Sequence, residues 1–158
     1  MALELPAKGE RMGKPRRLSV SLKRDEALRA TRVTIGKKKL VYVLIADKRL
    51  RYERDKSRIA YIGTTKKGVA RIAQSVATRA AKILNLNGVR TFHARVVTCN
   101  LRKNVKTWLK LERGLLICFR ERFGEVPTCN THGKKMKERD VFRYFAKGRV
   151  RNIINELS

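Results

Sequence analysis

Apolar residues are unevenly spread along the chain. Residues 1–39 show no sustained hydrophobic period and carry 12 Lys/Arg against 4 Asp/Glu. They read as a basic arm, with local order expected only near Leu18–Leu22 or on binding. At Leu40 the pattern changes. LVYVLIA (40–46) is a short β-rich apolar run, the mark of a buried strand. The charged stretch 47–58 reads as a connection, and IAYIG (59–63) as a second strand stopped by glycine, antiparallel to the first. Val69, Ile72, Ala73, Val76, Ala80, Ile83 and Leu84 recur at helical spacing and predict a helix over 67–84, with Arg71, Ser75, Thr78 and Lys82 on the opposite stripe. Asn85 to Gly88 is its stop. TFHARVVT (91–98) predicts a third strand and NLRKN a basic turn. A second helix, 105–123, shows the stripe Val105, Trp108, Leu109, Leu115, Leu116, Phe119 and Phe123. FGEVPTCNTHG is loop-like, and 133–158 is expected to be basic and helical. No internal repeat is visible. The fold class is therefore α+β: a small three-stranded antiparallel sheet flanked by helices over residues 40–132, between the arm 1–39 and the segment 133–158.

One position breaks the second helix's stripe. Four residues after Trp108 and three before Leu115, the pattern asks for leucine and the chain has Glu112. A carboxylate facing a core is costly unless it is paired or bound to a cation. Two readings follow: a salt bridge to one of the 40 basic residues, or a metal ligand facing a cleft. Hard cations such as Mg²⁺ take one or two carboxylates and complete their shell with water and phosphate oxygens.

Charge narrows the partners. Lys plus Arg is 40, Asp plus Glu is 13, and the formal net charge is +27. Such a chain repels itself and calls for a polyanion. Nucleic acid fits, because neutralising phosphates releases condensed counterions. A membrane finds no support, since the longest apolar run is far too short to span one. The N-terminal MALELPAKGERMGKPRR has no apolar h-region, so no signal peptide is expected. Cys99, Cys118 and Cys129 are odd in number and widely spaced, which suits free thiols in a reducing, intracellular compartment, cytoplasmic or nucleoid-associated. Cys129 and His132 form C-x₂-H, but the spacing fits no usual zinc pattern. His93 and His132 read as a strand and a loop histidine. No small-molecule cofactor is expected.

Tyr42 on the first strand, Tyr61-Ile62-Gly63 on the second, Arg71 ten residues after Tyr61, Glu112 within LERGLLICFRERFG and Asn130 within VPTCN stand in an order that resembles the GIY-YIG nuclease family. The resemblance covers roughly residues 40–132. Leu40 and Val41 replace the family's glycine and isoleucine, and no histidine lies near Ser75. The resemblance implies hydrolysis of one DNA strand with a single divalent ion, Mg²⁺ or Mn²⁺. It makes Glu112 the metal ligand, Tyr61 the general base, Arg71 the phosphate clamp, Tyr42 an orienting hydrogen-bond partner and Asn130 a fixer of the loop or the phosphate. As a base, Tyr61 needs a pKa pulled below the usual phenol value of about 10. Lys37, Lys38, Lys39, Lys66, Lys67, Arg79, Lys82, Lys134 and Lys135 are the expected nucleic-acid contacts. DNA is the first-choice partner and RNA the second. The competing function is a non-catalytic basic nucleic-acid-binding protein, of a ribonucleoprotein for example, on a nuclease-like fold.

Overall fold

The structure is a computed structural model that describes residues 19–24, 35–135, 137 and 140–158. Most of the basic arm lies outside the described residues. The chain divides into two units, 1–32 and 33–158. In the first, residues 19–24 form neither helix nor strand, and Val20 and Leu22 are open to solvent.

The second unit holds the strands β1 (Leu40–Arg51), β2 (Lys56–Thr65) and β3 (Phe92–Val97) and the helices α1 (Val69–Leu84), α2 (Thr107–Phe123) and α3 (Lys147–Leu157), with a 3₁₀ turn at Asp140–Arg143. The sheet order is β2-β1-β3 and both pairings are antiparallel. Among the described residues the class is α+β, with a three-stranded antiparallel sheet and three helices. Every residue from Leu40 to Ala46 is buried. A central strand whose two sets of alternate side chains are both buried needs cover on both faces, and the helices supply it.

The charged stretch 47–58 is mostly strand rather than connection. β1 continues to Arg51 and β2 starts at Lys56. Register shifts near Ile45 break the two-residue period and hide this extension from pattern reading. Only Tyr52–Asp55 turns, closed by Tyr52 N–H on the Asp55 carbonyl at 2.9 Å and Lys56 N–H on Asp55 Oδ1 at 2.7 Å. This turn grips the end of α2. Arg54 donates its N–H to the Phe123 carbonyl and its Nη1 to the Glu121 carbonyl, each at 3.0 Å. Those carbonyls are among the ones a helix leaves unpaired at its C-terminus. Gly124 ends α2 with φ +87°, and a Cβ there would lie 2.8 Å from Glu53. Both its conformation and its crowding call for glycine.

α2 is buried more widely than a single stripe. Thr107, Trp108, Leu111, Gly114 to Phe119 and Phe123 are all inside, because α3 and the 3₁₀ turn pack against it as well as the sheet. A Cβ on Gly114 would sit 3.0 Å from the fully buried Val141, so the turn approaches the helix backbone closely. Tyr52, Phe119 and Phe123 form an aromatic cluster, with Phe119 and Phe123 at 4.5 Å between ring centroids. α3 buries Val150, Ile154 and Leu157, and Ser57 Oγ donates to Ser158 Oγ at 3.0 Å. The later part of 133–158 is thus packed into the same unit as the sheet. Among the described residues no helix is long and apolar enough to cross a membrane.

Candidate active site at the tyrosine pair

Strand register builds the pair. Tyr42 stands opposite Gly63, and Leu44 opposite Tyr61. Tyr61 and Gly63, two apart, share a face, and the Tyr61 ring folds back along its own strand over the glycine. A Cβ at position 63 would lie 2.5 to 2.8 Å from the Tyr61 ring and hydroxyl. The glycine of Tyr-Ile-Gly is thus the space that Tyr61 occupies. This brings the rings of Tyr42 and Tyr61 to 5.9 Å between centroids, tilted by 41°. Both side chains are more than nine-tenths buried.

The guanidinium that meets the pair is Arg79, not Arg71. Its Cζ lies 3.9 Å over the Tyr61 ring, its Nη2 donates to the Tyr61 hydroxyl at 2.8 Å, and its Nη1 donates to Ser75 Oγ at 2.6 Å. Ser75 Oγ in turn shares a hydrogen bond with the Tyr42 hydroxyl. The four side chains form one closed network. Arg71 is exposed on the first turn of α1 and holds the Gln74 side chain. The helix begins only at Val69, after Gly68 at φ +76°, whose N–H is held by the Lys38 carbonyl at 2.8 Å. From that start the inward positions are Ile72, Ser75/Val76, Arg79/Ala80 and Ile83, and Arg71 falls about 100° away from Ile72. Sequence reading missed Ser75 as a site residue and took Arg79 for a nucleic-acid contact rather than the partner of Tyr61. Their four-residue spacing was the available signal, but the stripe count had placed Ser75 outward.

The Tyr61 phenol is not depressed. It is pushed up to about 12, chiefly by burial, then by Tyr42, with Arg79 opposing and Glu112 adding a smaller push upward. One guanidinium does not offset the loss of water around the oxygen. The expectation of a lowered phenol is corrected on this point.

Glu112 lies on α2, half-buried. Burial pushes its carboxyl up to about 7 against the pull of Arg113. Among the described residues it has no ion pair and no side-chain hydrogen bond, so the internal salt bridge weighed above is not made there. An unpartnered carboxylate held at that value is a place where a cation is favoured. Among the described residues no three His, Cys, Asp or Glu side chains cluster, so a zinc site of the usual kind has no ligand set. One carboxylate does fit a single hard cation that fills its remaining positions with water and phosphate oxygens.

Asn130 is committed to the fold. Its Oδ1 accepts from Ile62 N–H at 3.0 Å and its Nδ2 donates to the Ile62 carbonyl at 2.8 Å. With Cys129 N–H on the Ala60 carbonyl at 2.9 Å, the loop after α2 covers the free edge of β2. Asn130 therefore fixes the loop. The expected nucleic-acid contacts vary in setting. Lys38, Lys66, Lys67, Lys82, Lys134 and Lys135 are exposed. Lys37 Nζ donates to the Cys99 carbonyl at 3.3 Å. Lys39 Nζ stands 4.5 Å over Trp108, whose buried Nε1 has no partner among the described residues. Arg79 is taken up by Tyr61. Comparison with protein-family models, with curated proteins and with solved structures finds no match for this chain.

Proposed function

We propose that the chain is a divalent-metal-dependent endonuclease of the GIY-YIG type, acting on DNA. The observation that supports this reading is Glu112: a half-buried carboxylate with no partner among the described residues, in a chain of net charge +27, whose charge adds a smaller upward push on the Tyr61 phenol. In this reading Glu112 holds one Mg²⁺ or Mn²⁺. The bound ion would supply Lewis-acid stabilisation of the phosphate and leaving oxygen. Arg79 and Ser75 hold the two phenols in place. With a pKa of about 12, Tyr61 is ionised in only about one molecule in 10⁵ at pH 7. The neutral phenol orients a water by hydrogen bond, and it becomes a base as positive charge gathers beside it. Arg71, exposed with Gln74 as its partner, takes a phosphate oxygen of the incoming strand.

Nicking of supercoiled plasmid with Mg²⁺ or Mn²⁺ tests the reading. Wild type is expected to nick, with the rate rising from pH 7 to 9. Tyr61→Phe should lower the rate at least about 10²-fold with DNA binding retained. Glu112→Ala should abolish cleavage. Equal nicking by all three proteins would sink the assignment. The raised Tyr61 phenol favours the second reading, a basic nucleic-acid-binding protein on a nuclease-like fold. Absence of cleavage by wild type on DNA and RNA, across metals, would select it.

A further inference from the structure

Three clefts share one side chain that the nuclease reading does not use. Tyr144 lines a cleft of about 480 Å³ along the first half of α2, one of about 440 Å³ against residues 98–102, and one of about 480 Å³ between the end of β3 and α3. These sizes fall in the range of about 300–1,000 Å³ in which small-ligand clefts lie. The half-buried ring stands on a firm mount, because the 3₁₀ turn just before it is anchored by fully buried Val141 against Gly114. Lys110 Nζ lies 5.1 Å and Arg102 Cζ 5.6 Å from the ring centroid. The first cleft also presents Lys106 and Arg113, and no carboxylate lines either of the first two among the described residues.

A ring with two cations held over it, and no acid lining those two clefts among the described residues, suits a base that takes a cation's place on the ring while the cations turn to its phosphates. Duplex DNA cannot use such a site, because the faces of its bases are covered by their stacked neighbours. An unpaired base can. We propose that Tyr144 is a stacking platform for an unpaired base of single-stranded DNA, with Arg102 and Arg113 taking the flanking phosphates. This site rests on the nucleic-acid partner of the preceding reading and is independent of cleavage.

The test is fluorescence anisotropy of the full chain, with metal chelated, on a labelled single strand of about 12 nucleotides and on a blunt-ended duplex of the same length with no loop. Tyr144→Leu is expected to weaken single-strand binding about tenfold and duplex binding less than about twofold. Tyr144→Phe should bind as wild type does. Tyr144→Trp, which keeps the aromatic volume, should bind the single strand more tightly and gives a readout should the leucine variant fold poorly. Arg113→Gln should lower the slope of log K against log salt by about 1. An unchanged single-strand affinity in Tyr144→Leu, an equal loss on both substrates, or no gain in Tyr144→Trp would overturn the platform. No binding of either substrate by wild type would overturn it together with the nucleic-acid reading. If the variants behave as expected while plasmid nicking fails, the platform stands and the nuclease assignment falls.

Discussion

At Gly63 a missing side chain does the positioning. A methyl there would lie 2.5 to 2.8 Å from the Tyr61 ring edge and hydroxyl, so Gly63→Ala should drive the ring off Arg79. The expected cost is about 1–3 kcal/mol in urea unfolding. Ultraviolet-detected titration should also show the highest phenol falling back toward its ordinary value as Tyr61 meets water. Glu112 gives a second residue-scale expectation, with a sign. Its carboxyl ordinarily ionises near 4.5 and in the fold near 7. Below the lower value both states are protonated. Between the two only the unfolded chain is ionised, so stability falls as pH rises, and above 7 the loss is complete. The loss is at most on the order of 3 kcal/mol. Glu112→Gln should match wild type near pH 4 and exceed it at pH 8 by about 1–3 kcal/mol in thermal or urea melts. Mg²⁺ should raise the Tm of wild type at pH 8 and leave that of the variant unmoved. His93 is held below its ordinary value by burial and by Arg95 and Arg58, so it contributes the opposite slope, but equally in both proteins. The anomaly at 112 was legible because a charged residue in an apolar stripe stands out in one dimension. Arg79 was not, because which of several basic residues on a helix meets a ring depends on where that helix starts.

Among the elements, β1 shows why pattern reading stopped early. LVYVLIA is apolar throughout and stood out. The next five residues alternate imperfectly across shifted pairing, with Leu50 buried opposite Ser57, and charge disguised them as loop. Helix α1 with its stop at Asn85, and the end of α2 at Phe123, were legible because periodicity and turn residues are local signals. The extra buried positions of α2 were not, since they come from α3 and the 3₁₀ turn, which are distant in sequence. Asn130 belongs to this scale, as a side chain that stands in for a further strand on β2. Asn130→Ala leaves a buried N–H and a buried carbonyl without partners and should cost about 2–4 kcal/mol in urea unfolding. A change well under 1 kcal/mol would show that water replaces it. Plasmid nicking by the surviving folded fraction should be near normal, which separates edge closure from a phosphate contact.

For the molecule as a whole, the charge of +27 acts in opposite directions on folding and on binding. Screening relieves self-repulsion, so Tm should rise as salt is raised from about 0.05 to 0.5 M. Over the same range log K for DNA should fall linearly. A chain without residues 1–36 should bind more weakly and with a flatter slope, and an identical slope would show that this segment touches no phosphates. The grip of the β1–β2 turn on α2 carries the last consequence. Arg54 seizes the helix at Glu121 and Phe123, about two and a half and three turns beyond Glu112. The hairpin that carries Tyr61 thus sets the zero of a ruler along which the carboxylate is a fixed mark. One residue inserted between 112 and 121 would move that mark by about 1.5 Å and swing it by about 100°, losing both reach and bearing. A residue inserted in the loop 98–106 would leave the ruler unread and unchanged.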